Sequence, residues 1–260
     1  MNLRAMRRGV CLGAALIRST LSYARIGVRR RNTPQARAMW MHRSSISVLR
    51  AMDVECRREG NPPASGLLVA NHLSYLDIVV LAAQAPCAFV SKREVQRWPV
   101  FGMLAKAGGT IFLNRGSRAS SARAATSIGQ RLASSVCVAL FPEGTSTDGS
   151  TVRHFPPWLF EPAIESRHCI TAASIRYLPA DGGDELHLCW FGDASFLSHL
   201  WSLLCGERFT VQIRFGHPQV YMDRTIAAAA TRETILSMRA AGILQFGISH
   251  NRKFERCEAA

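Results

Sequence analysis

Apolar runs alternate with helical stretches between residues 66 and 145, and this alternation limits the possible folds more than any other feature of the chain. Four runs rich in β-branched and large apolar residues are predicted to be strands, at 66–72, 87–92, 108–115 and 135–145. Three stretches predicted to be helices separate them, at 74–84, 94–106 and 121–134, the second interrupted by Pro99. Strands that alternate with helices indicate βαβ units and a largely parallel sheet.

The pattern changes beyond Thr145, where a Pro-rich loop follows. Three further runs are predicted to be strands, at 169–178, 185–192 and 208–216. An apolar helix is predicted at 196–204 and a last helix at about 223–246. We therefore expect an α/β fold in which residues 51–260 form one domain, with a mixed, largely parallel sheet flanked by helices, preceded by a helical extension at 1–50.

The N-terminal segment, residues 1–50, holds most of the positive charge. It carries eleven arginines and neither Asp nor Glu, so it supplies eleven of the net +14 charges and leaves +3 to the other residues. Its apolar run at 9–17 is too short to span a bilayer, which needs roughly 20 apolar residues. We expect a basic amphipathic segment that lies on an anionic membrane surface, and a solvated basic tail is the alternative.

Composition argues against several other classes. The charge of +3 beyond residue 50, without a basic stripe interleaved with aromatics, argues against a nucleic-acid partner. The eight cysteines show no clustered spacing, so we expect reduced core thiols, no metal site and a cytosolic compartment. Neither a nucleotide-phosphate loop nor the G-x-S-x-G turn of serine hydrolases occurs in the sequence.

Two ionisable residues stand where the strand predicted at 66–72 ends. His72 and Asp77 are five residues apart, so on one continuous helix they would point about 140° apart and could not meet. Ser74 and Asp77 have the spacing of a capping box, which places the helix start between the pair. Asp77 could then hold one imidazole nitrogen while the other faces a substrate, as a general base requires. The alternative is an ordinary capping aspartate beside a loop histidine.

Two further signals follow strands. The turn Pro142–Thr145 contains Gly144, which allows backbone to approach a ligand so that amides can donate to an anion. Glu143 needs a partner at this apolar strand end, either an arginine or the helix start near His72. Arg115 could meet an anionic head group. An ordinary turn and a solvated arginine are the alternatives.

The segments NHLSYLD, IFLNR and FPEGT resemble, in order and spacing, three motifs of the glycerolipid acyltransferases. From about residue 60 to about residue 220 the chain is similar to the bacterial 1-acyl-sn-glycerol-3-phosphate acyltransferases. This resemblance implies transfer of a fatty acyl group from acyl-CoA or acyl-carrier protein to the free hydroxyl of a lysophospholipid, without a cofactor. The first acceptor it implies is 1-acyl-sn-glycerol-3-phosphate, and the expected location is the cytoplasmic face of the inner membrane, peripheral or monotopic.

The resemblance also implies roles for individual residues. His72 and Asp77 would be the catalytic pair. Four residues would bind substrate, namely Arg115, Glu143, Gly144 and Thr145.

Three positions depart from the family pattern. Ser146 stands where many relatives that use lysophosphatidic acid carry arginine, Pro156 follows Phe155 where a cation is common, and Ala172 replaces a proline. Losing a charge-assisted contact costs roughly 1.5 to 3 kcal/mol, which weakens the case for a phosphate monoester. The stretch at 141–149, followed by LFEPA, is also similar to relatives that acylate lyso-ornithine lipid, the alternative acceptor. A non-catalytic membrane-surface binding protein is the second alternative.

Overall fold

The computed structural model describes residues 3–26, 33–98, 101–113 and 118–254, with the backbone only at 118–119 and 242–254. The α-helices of these residues are α1 (Leu3–Arg25), α2 (Pro34–Ala51), α3 (Leu76–Gln84), α4 (Phe101–Ala107), α5 (Arg118–Ala133), α6 (Glu161–Glu165), α7 (Phe196–Cys205) and α8 (Arg224–Phe254). The strands are β1 (Glu55–Glu59), β2 (Leu67–Ala70), β3 (Cys87–Lys92), β4 (Ile111–Leu113), β5 (Cys137–Leu140), β6 (Ile170–Pro179) and β7 (Phe209–Phe215). Short 3-10 helices occur at Arg93–Arg97, Pro157–Leu159 and Glu185–Leu188.

The strands form one sheet in the order β1-β7-β6-β2-β5-β3-β4. Neighbouring strands run parallel except β6 and β7, which are antiparallel. The fold class predicted from the sequence is therefore confirmed. Because β2 lies between β5 and β6, the residues that follow β2 and β5 leave the sheet side by side at its carboxyl edge.

The core lies on both faces of this sheet, and β2 shows how the sequence divides it. Leu68 and Ala70 face a cluster built with α2, α3 and α7, whereas Leu67 and Val69 face a cluster built with α5, α6 and α8. All four β2 side chains are buried, as expected for a central strand covered on both faces. The two helical layers thus fix β2, and with it the residues that follow.

The sequence pattern did not predict strand β1, because its residues, ECRRE, are polar and mostly exposed. It is an edge strand that pairs with β7 through Glu55 and Thr210, so a solvated strand is tolerated there. The strand predicted at 185–192 is wrong. The side chain of Asp184 accepts from the amide of Leu186 and starts a 3-10 helix instead.

Two other predictions need refinement. The helix predicted at 94–106 is divided into the 3-10 helix Arg93–Arg97 and α4, and Pro99 lies outside the described residues. The cysteines are not uniformly core residues, because Cys87, Cys137 and Cys189 are buried whereas Cys11 and Cys169 are exposed.

The N-terminal segment forms two helices that pack on the domain. Helix α2 lies against α3, where His42 Nδ1 contacts the carbonyl oxygen of Ala82 at 2.7 Å. Helix α1 packs against α2 and α7, and Ala5 and Leu49 are buried in the core cluster on that side. No helix within the described ranges combines the length and the hydropathy needed to cross a bilayer.

Candidate active site

Asn71 marks the end of β2 and holds the loop that follows it. Its side-chain amide donates to the carbonyl of Ile175 at 3.1 Å, and its Oδ1 accepts from the amide of Ile175 at 2.8 Å. The side chain thus continues the pairing of β2 with β6 after the backbone ladder has ended. The chain is anchored immediately before His72, so the position of the imidazole is fixed from the backbone upward.

His72 and Asp77 meet as the motif predicted. His72 Nδ1 lies 2.8 Å from Asp77 Oδ2, and the carboxylate is completely buried while the imidazole keeps 17% of its surface exposed. The same oxygen accepts from the amides of Leu73 at 2.6 Å and Ser74 at 2.9 Å. Since Nδ1 is engaged by the carboxylate, Nε2 is the ring nitrogen left for a substrate.

The capping box is formed only in part. Asp77 reaches back to the amide of Ser74, which is the aspartate half of the motif. The Ser74 hydroxyl, however, accepts weakly from the amide of Leu76 at 3.4 Å, and the amide of Asp77 donates to the Ser74 carbonyl. Helix α3 begins at Leu76, between His72 and Asp77, as the geometry of the pair requires.

Tyr177 completes the surroundings of the carboxylate, and sequence reasoning missed it. Tyr177 lies near the C-terminal end of β6, and its hydroxyl donates to Asp77 Oδ1 at 2.5 Å. Burial and the negative charge of Asp77 raise the pKa of Tyr177 well above its usual value, so the phenol stays protonated and remains a donor. The available signal was a tyrosine in an apolar strand, whose hydroxyl needs a partner when buried.

The imidazole is fixed on its face as well as at its edge. The ring of Phe141 stacks on that of His72, with centroids 4.2 Å apart and planes inclined by 15°. Phe141 follows β5 directly, so the two adjacent strand ends meet here. The amide of Thr147 donates to the His72 carbonyl at 2.9 Å. His72 is therefore held through its ring edge, its ring face and its backbone.

Glu143 bridges two loops with its carboxylate. Oε1 accepts from the amide of His72 at 2.8 Å, and Oε2 accepts from the amide of Arg153 at 3.0 Å. Of the two partners expected from the sequence, the one found is the segment that leads into α3, not an arginine side chain. Burial raises the pKa of Glu143, although its amide donors and the charge of His72 oppose that shift. These contacts support a positioning role for Glu143.

The turn after β5 lines the same cleft. Gly144 adopts φ +73°, a left-handed conformation that favours glycine, and its amide donates to the Phe141 carbonyl at 3.1 Å. Thr145 and Ser146 follow along the cleft wall. Arg115, which the motif resemblance places in acceptor binding, lies outside the described residues.

The cleft has a volume of about 660 Å3, within the usual range of ligand-binding clefts. Besides His72, Glu143 and the turn, its walls are mainly apolar and aromatic, and include Ile78, Val90, Val95, Trp98, Leu113, Leu140, Trp158, Leu159, Trp190 and Phe191. Across the part of the chain that the structure describes, no group of three or more His, Cys, Asp or Glu side chains could hold a metal ion. The arrangement is that of a histidine, held by a buried carboxylate, at the rim of an apolar cleft.

Comparison with known proteins gives consistent results. A family model described as Acyltransferase matches residues 53–176, which include His72, Asp77, Phe141 and the turn at Pro142–Thr145 but not Tyr177, Trp190 or Phe191. The chain is 40% identical to the lyso-ornithine lipid O-acyltransferase of Pseudomonas aeruginosa over 65% of each chain, just under two thirds of that relative's length. It is 34% identical to the corresponding enzyme of Brucella abortus, over 64% of this chain and 67% of the relative.

Two further comparisons concern enzymes named for a phosphate acceptor. The 1-acyl-sn-glycerol-3-phosphate acyltransferase of Neisseria meningitidis is 29% identical over 70% of this chain and 72% of its own. The crystal structure of the 1-acyl-sn-glycerophosphate acyltransferase PlsC from Thermotoga maritima superposes with a TM-score of 0.64, covering 94% of this chain and 95% of that chain. At 17% identity the latter likeness concerns the fold alone. From the aligned length, the matching motifs and the shared fold, we conclude that this chain belongs to the acyltransferase family.

Proposed function

We propose that the protein is a lysolipid O-acyltransferase and that His72 is its general base. The observation that carries this proposal is the imidazole held by Asp77 at the rim of an apolar cleft. One ring nitrogen is engaged by a buried carboxylate and the other is left for the cleft, which is the arrangement that general-base catalysis requires.

In the proposed reaction, His72 Nε2 takes the proton from the acceptor hydroxyl as its oxygen attacks the thioester carbonyl carbon. Asp77 stabilises the imidazolium that forms, and four hydrogen bonds to its two oxygens hold the carboxylate in place. The carbon–sulfur bond then breaks, and the imidazolium returns the proton to the departing thiolate. The products are an ester and a free thiol, and no acyl-enzyme forms.

The turn at Gly144–Ser146 is the proposed site for the negative charge that develops on the carbonyl oxygen. Backbone amides that follow a strand and a left-handed glycine can point together at an anion. We assign acceptor binding to this turn, through Gly144 and Thr145, and to Arg115 on the motif resemblance. Glu143 acts by fixing the amides of His72 and Arg153.

We propose lyso-ornithine lipid as the preferred acceptor, ahead of lysophosphatidic acid. Ser146 lines the cleft where an arginine would suit a phosphate monoester, and a serine hydroxyl cannot supply that charge. The relatives with 40% and 34% identity are named for lyso-ornithine lipid, whose ornithine group carries no phosphate. The donor is acyl-CoA or acyl-carrier protein.

The acceptor proposal is tested with the purified full-length chain, given acyl-CoA or acyl-carrier protein and equal amounts of each lysolipid. We expect kcat/KM for lyso-ornithine lipid to exceed that for lysophosphatidic acid with at least one donor. Ser146→Arg should raise the relative use of lysophosphatidic acid, and Ser150→Arg, which adds the same charge at an exposed loop position, should not. A wild-type preference for lysophosphatidic acid would overturn this choice of acceptor.

We also propose that residues 1–50 dock on an anionic membrane at the cytoplasmic face of the inner membrane. Helix α1 exposes large apolar residues along one stripe about 60° wide on a helix of 100° per residue, at Leu3, Met6, Val10, Ile17 and Leu21. Arg7, Arg18 and Arg25 border this stripe, while Ala5 and Ala15 pack against the protein on the far face. An apolar stripe edged with arginines is suited to the interface of an anionic bilayer.

A further inference from the structure

A second cavity lies away from the catalytic cleft, where α1, the turn after α2 and the loop between α7 and β7 meet. Its volume is about 340 Å3. We call it the Asp53 cavity, and its charged lining residues are Arg4, Arg7, Arg8, Asp53, Glu207 and Arg208. Four arginines therefore share the cavity with two carboxylates, which leaves a surplus of two positive charges.

Arg8 is the structural centre of this cluster. Its side chain is only 1% exposed, and Nη1 donates to the carbonyl oxygen of Gly206 at 2.8 Å. It also contacts the carbonyls of Leu203 and Leu204, each at 3.3 Å. These carbonyls belong to the C-terminal end of α7, where a cation is favoured by the helix dipole. Arg8 thus joins α1 to α7 and is occupied by the protein itself.

Asp53 organises the other arginines. It adopts a left-handed backbone conformation with φ 57° just after α2, and Oδ2 contacts both Arg7 and Arg8. Partial burial would raise its pKa, but the hydrogen bond from Arg8 and the charges of Arg7 and Arg208 lower it, so the carboxylate stays ionised. One carboxylate cannot neutralise three guanidinium groups.

Arg7 and Arg208 are the exposed arginines of the cavity that contact Asp53. Their side chains are 58% and 73% exposed, and Arg208 Nη2 lies 3.8 Å from Asp53 Oδ1, at the outer limit of an ion pair. Each guanidinium has five N–H donors in a planar fork that suits the oxygens of a phosphate. Asp53 holds Arg7 and Arg208 at the same cavity, so both guanidinium groups are positioned before an anion binds.

We propose that the Asp53 cavity binds the phosphate group of an anionic phospholipid. The position of Arg7 favours a lipid over free phosphate, because this residue lies about 40° around α1 from Leu3, on the edge of the exposed apolar stripe. A lipid whose acyl chains lie beside that stripe could place its phosphate between Arg7 and Arg208. The site would bind a membrane lipid independently of the catalytic cleft.

The test compares two variants of the full-length chain with the same loss of charge. Arg7→Gln/Arg208→Gln removes the two exposed arginines of the cavity that contact Asp53, whereas Arg18→Gln/Arg25→Gln removes two exposed arginines of α1 that do not line the cavity. Binding is measured by cosedimentation with phosphatidylcholine vesicles that contain phosphatidic acid or phosphatidylglycerol. Because charge-assisted hydrogen bonds are lost as well as charge, we expect the cavity variant to bind about tenfold more weakly than its control.

Equal losses of vesicle binding in the two variants would overturn the proposal, because they would show that the membrane attracts the positive charge of the chain in general and not the Asp53 cavity in particular. Titration with inorganic phosphate separates the two sources of the anion. If the wild-type chain binds phosphate through Arg7 and Arg208 while both variants bind vesicles equally, the lipid assignment fails. Vesicle binding requires no catalysis, so this result is independent of the proposed acyl transfer.

Thermal melting checks that the cavity variant is folded, since Arg7 also pairs with Asp53. If it melts early, Arg208→Gln is compared with Arg25→Gln, because Arg208 is largely exposed and its contact with Asp53 is long. We then expect vesicle binding about threefold weaker than that of the single control. Equal binding by the two single variants would again overturn the proposal.

Discussion

Tyr177 donates its phenolic hydrogen to Asp77 Oδ1, while His72 contacts the other oxygen of the same carboxylate. Tyr177 and Asp77 are 100 residues apart in sequence, and β6 brings the tyrosine to the carboxylate. A buried carboxylate without partners would be costly, and here each oxygen is satisfied. The imidazole therefore depends on a carboxylate whose own position is fixed from both sides.

Tyr177→Phe should lower kcat about tenfold with little change in KM, because it removes one hydrogen bond to Asp77 and leaves the cleft walls intact. Steady-state kinetics with acyl-CoA and a lysolipid measures both constants. Tyr221→Phe removes the same hydroxyl outside the site and is the matched control. An unchanged kcat, or a loss confined to KM, would show that Tyr177 does not position the pair.

Asp77→Asn should lower kcat on the order of a thousandfold, since an amide in place of the carboxylate cannot stabilise an imidazolium in the same way. Its amide nitrogen would also face donors, including the hydroxyl of Tyr177. Single-turnover measurements separate this chemical defect from slow binding. Asp181→Asn, at an exposed loop position, is the control and should retain activity. Comparable rates for the two variants would contradict the assigned role of Asp77.

The raised pKa of Glu143 predicts how the free energy of unfolding depends on pH. Its pKa is raised above the ordinary value of 4.5, so between 4.5 and the raised value the folded chain binds more protons than the unfolded chain. The contribution of Glu143 to the free energy of unfolding therefore falls as pH rises through that window. Glu143→Gln lacks this titration.

Urea unfolding from pH 4.5 to neutrality checks this prediction. The free energy of unfolding of the wild type, minus that of Glu143→Gln, should decrease with pH and then become constant. If this difference in the free energy of unfolding increases over the same range, the surroundings of Glu143 lower its pKa instead of raising it, and the prediction is wrong.

The apolar stripe of α1 makes a prediction about membrane binding. Ile17→Glu should weaken binding to anionic vesicles by tenfold or more, because transfer of a large apolar side chain is worth about 1.5 to 3 kcal/mol. Thr20→Glu adds the same charge three residues away, outside the stripe, and should weaken vesicle binding less than Ile17→Glu does. Binding of the wild type should also weaken with salt. Vesicle binding indifferent to Ile17→Glu and to ionic strength would contradict docking through this segment.

Much of the fold followed from local pattern because the central strands are apolar on both faces. The run LLVA and its neighbours predicted a covered, largely parallel sheet, and the sheet has this form. Strand β1 could not be found this way, because its polar residues form a strand only through pairing with β7. The run at 185–192 was wrongly predicted to be a strand, because Asp184 caps a 3-10 helix there.

The site was predictable where its residues share one short motif. His72 and Asp77 are close in sequence, and their pairing required only that a helix begin between them. Tyr177 and Phe141 come from other strands, so only the sheet order places them at the imidazole. Arg8 was grouped with the surface arginines, yet it is buried against the end of α7, a contact that no local pattern encodes.

The most direct test of the central claim is the acyl-transfer rate of purified His72→Ala with acyl-CoA and lyso-ornithine lipid, measured beside the wild type and His217→Ala. His217 is an exposed histidine beyond β7, and its removal should leave the rate within about twofold, as for most surface substitutions. We predict that His72→Ala loses activity by at least about a thousandfold. Acyl transfer by His72→Ala at the wild-type rate would contradict the account.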